Sequence, residues 1–135
     1  INYRVNSDRD TAILIGDDCM FSFDIILKSN AGHSIFDIRT AKNLNTSYAT
    51  REYRKIDIGN HVWIGMRAII LYDTQIKDGS IIGAMSIVKS EIPNNSIAAG
   101  VPARIVRRDI AWSREIATEN ILTCGEEYVR MTEEI

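Results

Sequence analysis

From Ile58 to Val88 an aliphatic residue returns at every sixth position: Ile58, Ile64, Ile70, Ile76, Ile82 and Val88. An α-helix cannot use that period. Six steps of about 100° overshoot a full turn by about 240°, which scatters the repeat over three directions. Short strands can use it. Two positions before each of the later aliphatics stands a small or β-branched residue: Val62, Ala68, Thr74, Ser80 and Ser86. Residues two apart share one strand face. The residues between, such as Gly59-Asn60-His61, Gly65-Met66-Arg67, Lys77-Asp78-Gly79 and Gly83-Ala84-Met85, must turn the chain. Glycine, asparagine and aspartate suit tight corners because they tolerate positive φ. Three hexads close one triangular coil, stacked about 4.8 Å above the last. The pattern therefore predicts a parallel β-helix, with Ile58 under Ile76, Ile64 under Ile82 and Ile70 under Val88.

The same step is weaker upstream, through Ile15, Phe21 and Leu27, and fails between Leu27 and Ile58. A long non-repeating insertion in a rigid solenoid points to function. After Pro102 the period ends, and Asp109 reads as the cap of a helix starting near Ile110, with Gly125 as an interruption or stop. The expected organisation is a β-helical domain over residues 1–108 with a loop insertion at about 29–55, then a C-terminal helical segment over 109–135.

The residues between each inward pair point outward and sort by prism face: Trp63 with Ile81, Ile69 with Ile87, and Gln75 with Pro93. Two faces are apolar and one is polar. Ladders of exposed tryptophan and isoleucine call for a covering, by another subunit or by ligand.

Composition narrows the function classes. A formal net charge of -2 is no basis for binding a nucleic-acid backbone. No apolar run approaches the roughly 20 residues that span a bilayer. Cys19 and Cys124 have neither metal-ligand spacing nor a disulfide framework, so a reducing cytoplasm is the expected location.

Three stretches carry a resemblance to a known family: Ile56-Asp57-Ile58-Gly59-Asn60-His61-Val62-Trp63-Ile64-Gly65, Ile82-Gly83-Ala84-Met85-Ser86-Ile87-Val88, and Ala99-Gly100-Val101-Pro102-Ala103-Arg104. They resemble the bacterial hexapeptide-repeat O-acetyltransferases acting on galactosides, maltose, streptogramins and capsular or exopolysaccharides. The segments Gly16-Asp17-Asp18-Cys19-Met20-Phe21-Ser22 and Ala31-Gly32-His33-Ser34-Ile35-Phe36-Asp37 look closest to the capsule-modifying branch. The resemblance implies a left-handed coil, against the usual right-handed crossover, and a homotrimer with active sites between subunits. It further implies acetyl-CoA as donor, without a metal, and a saccharide hydroxyl as acceptor.

The chain has only two histidines. His33, at the start of the insertion, matches the family's catalytic histidine, and a base of near-neutral pKa suits proton removal from an acceptor hydroxyl. His61, on a repeat corner, reads as structural. Trp63 matches a tryptophan that walls the active site, a role compatible with interface packing. Asp10 aligns with an acceptor-contacting acid in the sugar acetyltransferases. Met66, Gly83 and Ala84 match positions beside the cofactor, where corners without bulk let a pantetheine arm lie against backbone. Met85 departs from the family's Gly-Ala-Gly-Ser pattern. Lys89, Arg104 and Arg107, with Arg108, are expected to make a basic edge suited to CoA phosphates, and the resemblance places Arg104 and Arg107 near them. Asp37, Arg39 and Lys42 of the insertion are further acceptor candidates.

Other functions fit the same coil. A streptogramin or amino-sugar N-acetyltransferase would differ only in its acceptor. A zinc-dependent carbonic anhydrase needs three histidines per metal, which His33 and His61 do not supply. A non-catalytic binding module would not need the interrupted repeat.

Overall fold

The computed structural model describes residues 11–29, 33–44, 54–117 and 126–135. Among the described residues twelve short strands make three sheets. The first sheet stacks β1 (Thr11–Ile15), β4 (Arg54–Ile58), β7 (Thr74–Ile76) and β10 (Glu91–Ile92). The second stacks β2 (Met20–Phe21), β5 (Trp63–Ile64), β8 (Ile81–Ile82), β11 (Ile97–Gly100) and β12 (Ala103–Arg107). The third stacks β3 (Ile26–Lys28), β6 (Ile69–Leu71) and β9 (Ile87–Val88). All pairings are parallel except β11 with β12. The chain visits the sheets in rotation, so each is one face of a triangular prism.

The expected ladders are in register: Ile58 pairs with Ile76, Ile64 with Ile82, and Ile70 with Val88. All six are at most 1% exposed, which removes nearly all of their apolar surface from water. The small inward positions suit their surroundings too. Buried Thr74 and Ser80 donate to the carbonyls of Val88 and Pro93, and Ser86 accepts from the Gly100 amide, so these hydroxyls are not left unpaired.

Left-handed backbone closes the corners. Asp18, His61, Gly79 and Asn95 share one edge, between the first and second sheets, with φ of +58°, +51°, +71° and +49°. Asp24, Arg67 and Met85 share the next edge, between the second and third, at +56°, +57° and +59°. Met85 therefore takes the conformation that the family pattern assigns to glycine, and its amide still donates to the Met66 carbonyl. The departure changes the side chain and leaves the corner intact.

Upstream, the coil continues across the insertion without losing register. Ile15 pairs with Ile58, Phe21 with Ile64, and Leu27 with Ile70. The step between coils is 43 residues there, against 18 above it. The chain leaves after β3 and returns at β4, so the excursion departs from the third edge, between the third and first sheets.

Two expectations are corrected. Gln75 lies under Glu91, not Pro93, because the corner after Val88 is shorter than the others; Pro93 is buried. The polar face survives as Asp57, Gln75 and Glu91, flanked by the ion pairs Lys55–Asp57 and Lys77–Glu91. The second correction concerns the C-terminal helix. Among the described residues beyond Arg107 there is only a single 3₁₀ turn, Glu126–Tyr128. Asp109 cannot act as the helix cap, since its φ is +56° and it exchanges two hydrogen bonds with Thr132. The carbonyls of Ile110, Tyr128 and Met131, which a helix would use internally, accept instead from Asn94 and Asn95 side chains. Gly125 and Cys124 lie outside the described residues. No helix among those described is long and apolar enough to cross a membrane.

Gly65 stands at a tight corner, where an added Cβ would fall 2.6 Å from the Ala84 backbone nitrogen. Gly65→Ala is expected to cost about 1–3 kcal/mol in denaturant unfolding, as overpacking does. Met85→Gly, which releases a side chain from left-handed backbone, is expected to be neutral or to gain up to about 1 kcal/mol.

Candidate active site

The second edge assembles several of the residues singled out in the sequence. Gly65-Met66-Arg67 lies directly below Gly83-Ala84-Met85, joined by the bonds from Gly65 N to Ile82 O and from Met85 N to Met66 O. A Cβ at Gly83 would fall 2.9 Å from the Ala99 Cβ, so neighbouring coils are in close contact here. Ala84, Met66 and Met85 are exposed. Arg104 pairs with Ala99 at the end of the second sheet nearest this edge, and its Nη1 donates to the Ala103 carbonyl. The result is a narrow strip of small residues and accessible backbone with a guanidinium at its upper end. Those features fit an extended thioester arm ending in phosphates.

The remaining basic candidates stand elsewhere on the prism. Lys89 follows β9 at the third edge, while Arg107 pairs with Ile97 at the first-edge end of the closing hairpin. The expected basic edge is therefore corrected: one prism spreads Lys89, Arg104 and Arg107, all exposed, over three edges, because β12 runs back across the second sheet and separates the two arginines.

His33 belongs to the insertion at the third edge and is exposed. The chain beyond it forms a small antiparallel turn, with a bridge between Phe36 and Asn43. Asp37 organises this turn. Its Oδ1 accepts from the Thr40 and Arg39 amides at 2.8 Å each, and these bonds, Thr40's first, hold its carboxyl below the usual range. That carboxylate is occupied in shaping the loop, whereas Arg39 and Lys42 remain exposed. Asp10 lies outside the described residues.

Trp63 sits on the outer face of the second sheet beside the first edge, between Met20 below and Ile81 above. It is 37% exposed. The other apolar face carries Ile26, Ile69 and Ile87 in one ladder.

One cluster of specific contacts among the described residues was not visible in the sequence. His61 is 2% exposed. Its Nδ1 meets Asp18 Oδ2 at 2.6 Å and its Nε2 meets the Trp112 carbonyl at 3.0 Å. Both partners are acceptors, so both ring nitrogens are used as donors when the imidazole carries two protons. The ring stacks on Trp112 at 3.8 Å and on Tyr128 at 5.0 Å. Arg114 closes the group by binding the Asp18 carboxylate together with the carbonyls of Asp18 and Cys19. The C-terminal segment is fastened along the first edge by these contacts. Cys19, half-buried beside them, has its thiol pushed up by burial. Asp18 and His61 occupy equivalent corner positions, a pairing that could be read only with the length of the insertion known.

Among the described residues no group of three or more histidines, cysteines or carboxylates is placed to hold a metal.

Comparison with known proteins agrees with this geometry. Residues 55–90 match the family described as bacterial transferase hexapeptide (six repeats). The polysialic acid O-acetyltransferase of Escherichia coli O1:K1 / APEC is 36% identical over 124 residues, covering 90% of this chain and 38% of that protein. The crystal structure of the polysialic-acid-specific acetyltransferase NeuO superposes with a TM-score of 0.69 at 37% identity, over 81% of this chain and 47% of that one. Galactoside acetyltransferase in complex with coenzyme A superposes with a TM-score of 0.53 at 33% identity, over 70% of this chain and 44% of that one. The fold is therefore a left-handed parallel β-helix. Residues 55–90 carry the hexapeptide repeat of that family, and the chain is similar to O-acetyltransferases built on it, while it spans less than half the length of these three relatives.

The pH response of the first edge follows from Asp18. Its carboxyl is held below the ordinary range, chiefly by the hydrogen bond from His61 and then by Arg114. A depressed folded value means that the stabilisation is fully present above the unfolded carboxylate pKa of about 3.9 and is lost as pH falls through the folded value. Tryptophan emission is expected to report loosening of the Trp112 stack below about pH 4. Asp18→Asn should weaken the stack at neutral pH and remove that acid limb.

Proposed function

We propose that this chain is the catalytic β-helix of an O-acetyltransferase that moves an acetyl group from acetyl-CoA to a saccharide hydroxyl, with a capsular or surface polysaccharide, or its precursor, as acceptor. The observation that carries this reading is the excursion between β3 and β4. It leaves the ladders on either side in register, and it sets His33 outside the prism. In a chain similar to polysialic acid and galactoside acetyltransferases, an exposed histidine on such a loop suits a base that must reach a large acceptor.

In this reaction His33 takes the proton from the acceptor hydroxyl. The oxygen attacks the thioester carbonyl, the carbon–sulfur bond breaks, and the imidazolium returns its proton to the departing thiolate. No covalent intermediate on the protein is required. Met66, Gly83 and Ala84 bind the donor arm along the second edge, and Arg104 binds its phosphates, with Lys89 and Arg107 supplied from other edges. Asp10 and Trp63 wall the acceptor.

These roles need more than one copy of the chain. His33 leaves from the third edge, Met66 and Ala84 lie on the second, and Trp63 adjoins the first. A homotrimer with active sites between prisms brings them together, and it would cover the two apolar faces, which are partly exposed in a single chain. The enzyme is assigned to the cytoplasm, where acetyl-CoA is available.

Thiol release from acetyl-CoA, measured with polysialic acid, simple galactosides, amino sugars and streptogramins, tests the proposal. Acceptor-dependent release that falls about 10²- to 10⁴-fold in His33→Ala is the expected result. Release unaffected by that substitution would remove His33 from the chemistry. Arg104→Ala is expected to raise the acetyl-CoA KM about ten-fold or more with kcat nearly unchanged, since a charge-assisted bond to phosphate is formed equally in ground and transition states.

A further inference from the structure

Trp112 is the one large apolar side chain beyond Arg107 that is buried among the described residues, at 5% exposure. Its placement is over-determined. The indole Nε1 donates to the His61 carbonyl at 2.9 Å, while the Trp112 carbonyl meets His61 Nε2 at 3.0 Å. The two rings stack at 3.8 Å with 9° between their planes, and the Arg114 guanidinium lies 5.4 Å from the indole centroid. This fixed ring then meets Trp63, at 5.9 Å between centroids and a tilt of 51°. Tilted aromatic contacts of that kind set the orientation of the less constrained ring. Along the sheet, Trp63 has only Met20 and Ile81 as ladder neighbours.

Exposure separates the two roles. Trp63 presents more than a third of its surface, so it can meet a ligand directly, whereas Trp112 is enclosed and cannot. We infer that Trp112, locked by His61, is a positioning residue that sets the attitude of the Trp63 ring and thereby the fit of the saccharide acceptor. The inference rests on Trp63 walling the acceptor site, as proposed above. It assigns the C-terminal segment a part in acceptor recognition in addition to closing the first edge of the prism.

A double-mutant cycle on the intact chain tests it, with polysialic acid as the first acceptor probe. Trp112→Leu is expected to raise the acceptor KM about ten-fold, leaving the acetyl-CoA KM within about two-fold. Trp112→Phe, which keeps a ring against His61, should recover most of that loss. In a Trp63→Ala background, Trp112→Leu should add nothing further. A second readout needs no acceptor. The chain holds two tryptophans, so emission from either Trp112 variant belongs to Trp63 alone. That emission should shift to the red and become more open to acrylamide quenching in Trp112→Leu than in Trp112→Phe.

Equal losses in both backgrounds would overturn the inference, because Trp112 would then act without Trp63. Emission and quenching of Trp63 that match in the two Trp112 variants would overturn it independently. A Trp63→Ala protein with unchanged acceptor KM would instead refute Trp63 as the acceptor wall, and the positioning role would fall with it. If Trp112→Leu does not fold, the cycle is run with Trp112→Phe, with an expected rise of about three-fold.

Discussion

Everything in this structure depends on turning the chain through three corners per coil while keeping successive coils in hydrogen-bonded register. Each corner on the first two edges uses a residue in the left-handed region, and most of those residues are not glycine. Such backbone costs an L-residue roughly 1–2 kcal/mol. The compensation is that corner amides reach the coil below: His61 N donates to Asp17 O, Gly79 N to Asn60 O, and Arg67 N to Phe23 O. With corners and strands both paired, the interior needs only side chains of the right volume. Isoleucine, leucine, valine, alanine, serine and threonine fill it. With successive coils paired at strands and corners, outward residues are free to vary for other purposes.

That division explains how chemistry is distributed over the fold. The backbone strip on the second edge has the form of a donor site, and it is made from corners that must be small for stacking reasons already. The proposed base and acceptor contacts require reach and variety, which the insertion and the outward side chains can supply. An insertion whose ends return in register imposes no strain on the ladders around it. The first edge, by contrast, is closed over by the C-terminal segment, with Asp18, His61 and Arg114 holding a stack of three rings.

The sequence disclosed the coil but not its closures. The six-residue period alone was enough to set Ile58 under Ile76 and Ile70 under Val88, because a solenoid converts a linear repeat directly into neighbours. The same logic failed at Gln75, where a shortened corner moved the pairing from Pro93 to Glu91. It also failed beyond Pro102. There Asp109 and Gly125 suggested the cap and stop of a helix, but Trp112, Tyr128 and the carbonyls of Ile110 and Met131 are used in tertiary contacts that no local pattern encodes. His33 could be singled out because it stands where the repeat breaks. Trp112 could not, since its importance arises from a histidine more than forty residues away.

The antiparallel strand β12 has a consequence for the ends of the molecule. A β-helix that simply stopped would offer the unpaired amides and carbonyls of its last coil as a template for another chain. Here the chain doubles back on β11 in the opposite sense, and the buried side chains of Asn94 and Asn95 bind the returning segment at the adjacent corner. A coil arriving from a second molecule would find an antiparallel hairpin where it needs a parallel edge. Growth along the prism axis is thereby discouraged at this end.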